Sequence, residues 1–233
     1  MNQLKEYPRP SRPSNPSSLE MAVYNFELLA KKYFDKKATS NPSEALLEQL
    51  NNDFRHLQRE KERISSISIA QAALAGYRDQ ASKATIEKLS NEEHHPTDKL
   101  AQFLRAIGEP KPTVNHEAHH IIPGVGRFNQ FAILSARLNF HLVGFGINDP
   151  INGTWLINFM KNKDIDWATD SAPAHRKLHR YNYESWIGIN LGGQRVPNKE
   201  QFSRRLSSMK THIKTGTLPS TIFDAKDEQW KGL

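Results

Sequence analysis

Between positions 43 and 89 apolar residues recur at the spacing of one helix face. They are Leu46, Leu47, Leu50, Phe54, Leu57, Ile64, Ile67, Leu74 and Tyr77, with Arg, Glu and Lys between them. A run of that length commits the first part of the chain to helix and confines any sheet to the second half. Ahead of it, positions 19–37 carry Met21, Tyr24 and Leu28 on one side and predict another helix. Asn41-Pro42-Ser43 separates the two, with Asn41 or Ser43 available as a cap. The stretch YPRPSRPSNPSS at 7–18 is linker by composition, because repeated proline denies both helix and sheet their backbone donors. A short helix is expected over 99–107. The reading is a Pro/Ser-rich linker over 1–18 and a helical domain over 19–110. No chemistry is visible in that domain, which suits packing, delivery or partner binding.

The character of the chain changes at GEPKP, positions 108–112, which is the expected domain boundary. A strand is expected over 113–122. An amphipathic helix is expected over 128–142, carrying Phe131, Ile133, Leu134, Leu138 and Leu142. Asp149-Pro150 and Asn152-Gly153 are turn signals before a short β-prone run at 154–157. One helix is expected over 172–187, with Pro173 tolerated in its first turn, and a last one over 198–214. The polar stretch 161–174 receives no assignment of its own before that helix. The fold class is α+β, mostly helical.

The chain is 233 residues long, enough to bury a core without staples. It has no cysteine, which excludes thiolate metal sites, redox couples and disulfides, and leaves histidine and carboxylate as the strong metal ligands. No run approaches the roughly 18 apolar residues of a membrane span. The first twenty positions lack the apolar core of a secretory signal, so neither membrane insertion nor general export is expected. The formal charge of +7 is unevenly placed. Positions 1–110 hold 16 Lys and Arg against 15 Asp and Glu, whereas 111–233 hold 16 against 10. Within 175–214 nine basic residues face two acidic ones, a local excess that attracts nucleic-acid phosphates.

Ten histidines are present, and four of them form a pattern. His175 and His179 are spaced i, i+4 on an expected helix, so both rings project from one face and converge on one ion. His119 and His120 are neighbours on an expected strand, where side chains alternate between faces. Both serve one site only where the strand ends, and Pro123 and Gly124 supply such an exit. One ring from the strand and two from the helix make three nitrogen ligands with positions left open, the ligand count of a catalytic site. The remaining imidazole suits a general base that deprotonates water. Elsewhere, His116 reads as an exposed strand histidine, His141 as a partly buried one, and His94-His95 as a loop pair. Trp155 and Trp186 read as core.

HHIIP, then NG before a short strand, then HRKLH followed by Tyr181 and Tyr183, resembles the AHH family of toxin nucleases. That family lies within the HNH, or ββα-metal (His-Me finger), superfamily, which includes the colicin DNases. Ala118-His119-His120 is the triplet that names it, and the likeness covers 113–187, about a third of the chain. The resemblance implies a nuclease domain over 111–233, its ββα-metal core at 113–187 followed by a basic helical segment. It implies His119 as metal ligand on the first strand, His120 as general base, and Asn152 as the residue holding the base imidazole in orientation. His175 and His179 correspond to the two helix ligands of the colicin-like branch. One divalent ion is implied, zinc, magnesium, manganese or nickel. The reaction implied is phosphodiester hydrolysis by an endonuclease, on DNA with low sequence specificity, with RNA as the alternative substrate. Arg127, Arg176, Lys177, Arg180, Arg195, Arg204 and Arg205 would track the backbone. The family also implies an antibacterial effector, made in the bacterial cytoplasm and delivered by a contact-dependent or phage-tail-like machine into a target cell. A cognate immunity protein would accompany it. The rival expectations are a non-catalytic nucleic-acid-binding module with a structural zinc, and a helical interaction protein.

Overall fold

The computed structural model describes residues 7–165, 171–193 and 198–232. They form two compact units, Met1–Gln71 and Ala72–Leu233. The division falls inside the longest helix, upstream of the expected boundary at 108–112.

The first unit is a helical hairpin. Helix α1 (Ser18–Lys37) starts at a capping box, in which the Ser17 hydroxyl accepts from Glu20 N and Glu20 accepts from Ser17 N. Helix α2 (Glu44–Lys83) begins after Asn41, which turns the chain at φ 55°, and Ser43, whose hydroxyl accepts from Leu46 N. Tyr33 packs on Phe54 at 5.9 Å between ring centroids, and Lys36 pairs with Asp53 at 3.0 Å.

The second unit contains the end of α2 and the remainder of the chain. The helical run expected to reach 89 is interrupted: α2 stops at Lys83, and α3 (Ile86–Ser90) restarts under a Thr85 cap. Helix α4 (Asp98–Ala106) lays Leu100, Phe103 and Leu104 into the interior. Strand β1 (His116–His120) pairs antiparallel with β2 (Gly153–Ile157), with His116 opposite Ile157 and His120 opposite Gly153. Between them run α5 (Gln130–Leu142) and a 3-10 turn at Pro150–Asn152. After β2 come a 3-10 helix (Met160–Ile165), α6 (His175–Leu178), α7 (Tyr181–Leu191), α8 (Lys199–Thr215) and a 3-10 turn at Ser220–Phe223. Part of the unassigned 161–174 stretch is thus helical, while 166–170 lie outside the described residues.

The main core joins Ile121, Ile122, Phe140, Leu156, Leu178, Tyr183, Trp186 and Phe202. Of the apolar residues that α5 carries, only Ile133 of the expected set is buried. Ile133, Ala136 and Phe140 are buried, while Phe131 is 79 % exposed and Leu134 64 %. The reason is the approach of α7. A Cβ at Gly188 would lie 2.5 Å from the Cβ of Ala132, so the face of α5 that fits is the one with small residues. His116 also departs from expectation. It is fully buried, and its Nδ1 lies 2.9 Å from the Thr113 hydroxyl. Trp155 and Trp186 are buried as expected.

Side chains from the end of α2 fix the turn before β2. Arg78 grips Asp149 with two bonds of 2.8 and 2.9 Å, and the Asp149 carboxylate accepts in turn from Ile151 N. Tyr77 hydroxyl accepts from Asn148 N and donates to Glu92.

Candidate active site

Strand alternation divides the histidine pair. Glu117 and His119 lie two apart on one face of β1, and His120 lies on the other. The His119 ring sits 4.7 Å from His175 and 5.6 Å from His179, and those two rings are 4.9 Å apart. One ligand nitrogen from each of the three lies within 4.8 Å of the others. The His120 ring faces a separate pair, His94 at 6.2 Å and His95 at 6.3 Å. Because β1 ends at His120, both groups line one cavity of about 300 Å³, together with Pro123, Gly124, Arg127 and Glu184.

The helix expected over 172–187 is broken. Helix α6 is a single turn, His179 leaves helical geometry at ψ 76°, Arg180 is extended, and α7 then begins. The core explains the break. Leu178 and Tyr183 are both fully buried, yet five residues along a continuous helix would set them about 140° apart. Interrupting the helix lets both reach the interior. His175 and His179 still converge, but from the start of one turn and the residue that ends it.

Each buried ring has a partner that fixes its proton. His175 Nδ1 lies 2.8 Å from Glu117 Oε2, and since a carboxylate only accepts, Nδ1 carries the hydrogen and Nε2 keeps its lone pair. Tyr183 donates its hydroxyl proton to the Ile121 carbonyl at 2.8 Å. Its oxygen therefore accepts from His119 Nε2, 3.2 Å away, which leaves the lone pair of His119 on Nδ1. Asn148 commits both amide hydrogens, to Glu92 Oε1 and to the Glu93 carbonyl. Its Oδ1 then accepts from His120 Nε2 at 3.1 Å, so the basic nitrogen of His120 is Nδ1.

Burial is the first cause of every shift in this cluster. It pulls His119 well below the usual imidazole value, assisted by His175 and His179. His120 falls to about 4 through burial, which outweighs the opposing bond to Asn148. His175 and His179 are lowered as well, the former against the pull of Glu117. All four rings are neutral at pH 7. Three neutral imidazoles with clustered lone pairs are a donor set that fits a divalent transition metal, and the unused nitrogen of His120 fits a proton acceptor.

The other expected site residues divide. Asn152 does not touch the His120 ring. Its side chain is buried, accepts from Ile122 N at 2.8 Å and donates to the carbonyls of Ile122 and Ile147. It fastens the chain just past His120, and the ring contact falls to Asn148, four residues earlier in the same turn. Arg127 lines the cavity. Arg176 lies over the Phe159 ring at 4.6 Å, and Lys177 is exposed beside it on α6. Arg180 donates to the Phe223 carbonyl, and Arg204 and Arg205 are exposed on α8, so none of these three lines the cavity. Arg195 lies outside the described residues.

Glu117, Asn148 and Glu184 escaped the sequence reading. Glu117 carried a usable signal, since i−2 from His119 on a strand is the same face. Glu184 had none. Its buried carboxylate accepts from the backbone of Arg127 and Phe128 at 2.7 and 2.8 Å and also from Asn129 N, holding the loop beside the cavity.

Two antiparallel strands followed by a short helix, with three imidazoles gathered and a fourth alongside, define a site of the HNH type. The chain belongs to the AHH family, a nuclease family of the HNH/ENDO VII superfamily with conserved AHH, whose model matches residues 100–217. The triplet is Ala118-His119-His120, on β1. No curated protein and no solved structure matches the chain. The protein is accordingly a nuclease, and nucleic acid is its substrate.

The protonation states lead to two expected outcomes. His119, His120 and His141 are neutral in the fold but take protons below about 6.5 once unfolded. The metal-free protein therefore holds its full histidine-linked stability above that pH and loses it as pH falls. Between pH 7.5 and 5.5 His119 and His120 each cost about 1 kcal/mol, read as a lower urea midpoint, and an unchanged midpoint would refute neutral burial. Glu117→Gln removes the carboxylate that orients His175. It is expected to weaken zinc binding about 10- to 100-fold by calorimetry while leaving the melting temperature of the metal-free protein within a few degrees.

Proposed function

We propose that the protein is a metal-dependent endonuclease that hydrolyses DNA phosphodiester bonds with low sequence specificity. The observation that carries this reading is the pairing in one cavity of two different histidine environments. One is a triad of neutral ligand nitrogens, and the other is a separate neutral ring with its proton fixed on the far nitrogen.

His119, His175 and His179 would hold the ion. When bound, it supplies Lewis-acid neutralisation of charge on the phosphate oxygens. Nitrogen donors favour zinc or nickel over magnesium and manganese, which prefer oxygen. His120 takes the proton of the attacking water on Nδ1, while Asn148 holds the ring from the opposite nitrogen. Asn152 keeps the chain at the strand exit in register, so that His120 stays beside the ligand group. Arg127 at the cavity wall and Arg176 and Lys177 next to His175 offer charge to the phosphate backbone, contacts that position a duplex without reading its bases.

The AHH triplet with His175 and His179 resembles the ligand set of the colicin-like branch, and that resemblance supports an antibacterial role. The protein would be an effector made in the bacterial cytoplasm, carried by a contact-dependent or phage-tail-like machine into a target cell, and neutralised in the producer by an immunity protein. No helix among the described residues is long and apolar enough to cross a membrane.

Plasmid nicking with zinc, nickel, manganese and magnesium, each with and without chelator, tests the reading. Wild type should convert supercoiled DNA to nicked and linear forms, chelator should abolish this, and His120→Ala should lower the rate by about 10² to 10⁴. Undiminished cutting by His120→Ala would remove the base. Binding without cutting under every ion would favour the structural-zinc module, and cleavage of RNA alone would make the protein an RNase.

A further inference from the structure

His94 and His95 lie upstream of the segment that the family model matches, yet both rings line the cavity. They are 4.7 Å apart and lie 6.2 and 6.3 Å from His120, in the same cavity as the three clustered rings. The loop that bears them is firmly held. Glu92 accepts from the Tyr77 hydroxyl at 2.8 Å, Lys99 at 3.0 Å, Asn148 Nδ2 at 2.9 Å and Ile147 N at 3.2 Å. Asn148 adds a second bond to the Glu93 carbonyl. His94 is wedged over Gly124, where a Cβ would come within 2.1 Å of the ring. His95, by contrast, is exposed at the cavity wall and makes no hydrogen bond among the described residues. A loop braced by five bonds thus presents one ring with an N–H donor and no protein acceptor, beside the proton-accepting histidine of a nuclease.

We propose that His95 binds a phosphate of the nucleic-acid backbone through its ring N–H, with His94 and the Glu92 hub setting its position. The inference rests on the nuclease reading of the same cavity and extends it. The loop before α4, through His94, His95 and Thr97, then supplies one wall of the substrate cleft. A neutral imidazole suffices, because the acceptor carries the charge. Binding of this kind is the same in ground and transition states, so its loss raises KM and leaves kcat unchanged.

The test compares wild type, His95→Ala and His95→Gln, the last of which retains an N–H donor. Each is titrated into a fluorescent 20-base-pair phosphorothioate duplex in the presence of chelator, and assayed for plasmid cleavage with metal. His95→Ala should weaken duplex binding about tenfold and raise KM by a similar factor, with kcat within about twofold. His95→Gln should restore most of the binding, and zinc stoichiometry should be identical in all three. Unchanged binding by His95→Ala, or equal losses in Ala and Gln, would overturn the proposal. A lower zinc stoichiometry in His95→Ala would overturn it in favour of a second metal position. Because the duplex titration needs neither metal nor turnover, it is independent of the nuclease reading. Wild type that binds through His95 but never cuts would sink that reading alone.

Discussion

Adjacent residues on an extended strand point to opposite faces, and the site is built on that constraint. His119 and His120 cannot share one set of neighbours. One ring goes to His175 and His179, the other to Asn148, His94 and His95, and the end of β1 puts both groups on one cavity. The two roles proposed for them, which require different protonation control, would therefore come from one dipeptide. A ligand ring needs its lone pair turned to its two partners, and a base needs its lone pair free. Tyr183 and Asn148 settle these separately, through acceptors that leave no choice of tautomer.

The supports for these two residues reach far along the chain. Asn148 sits in a turn clamped by Arg78 through Asp149 and by Tyr77 through its own backbone. Glu92 ties the same turn to the loop before α4. Residues 72–99, which the sequence showed only as helix and loop, thus form the far side of the nuclease unit. The second compact unit accordingly begins at Ala72 and includes these supports, to which Lys210 adds a bond to the Pro150 carbonyl.

Much of this was legible, and what was not has identifiable causes. The histidine pattern was readable because strand alternation and the i, i+4 interval are local rules, and β1, α5 and α8 fall within a few residues of the expected spans. The break after Leu178 was invisible, because it answers to a core that also contains Tyr183 and Trp186. Which face of α5 is buried could not be read from Phe131, Ile133, Leu134, Leu138 and Leu142, of which only Ile133 enters the core. Gly188 on a helix fifty residues away selects the small-residue face, leaving Phe131 and Leu134 exposed. Asn152 was expected at the imidazole and instead holds the backbone beside it, a distinction of one turn that no spacing rule resolves. His95 carried no local signal, since the histidines it meets in the cavity other than His94 are remote in sequence.

X-ray absorption spectroscopy of the protein loaded with one equivalent of zinc examines the central claim most directly. Three imidazole nitrogens at about 2.0–2.1 Å and a remaining oxygen ligand are predicted, with one nitrogen lost in His175→Ala. Four nitrogen ligands closing the coordination sphere, or a spectrum unaffected by that substitution, would contradict the account.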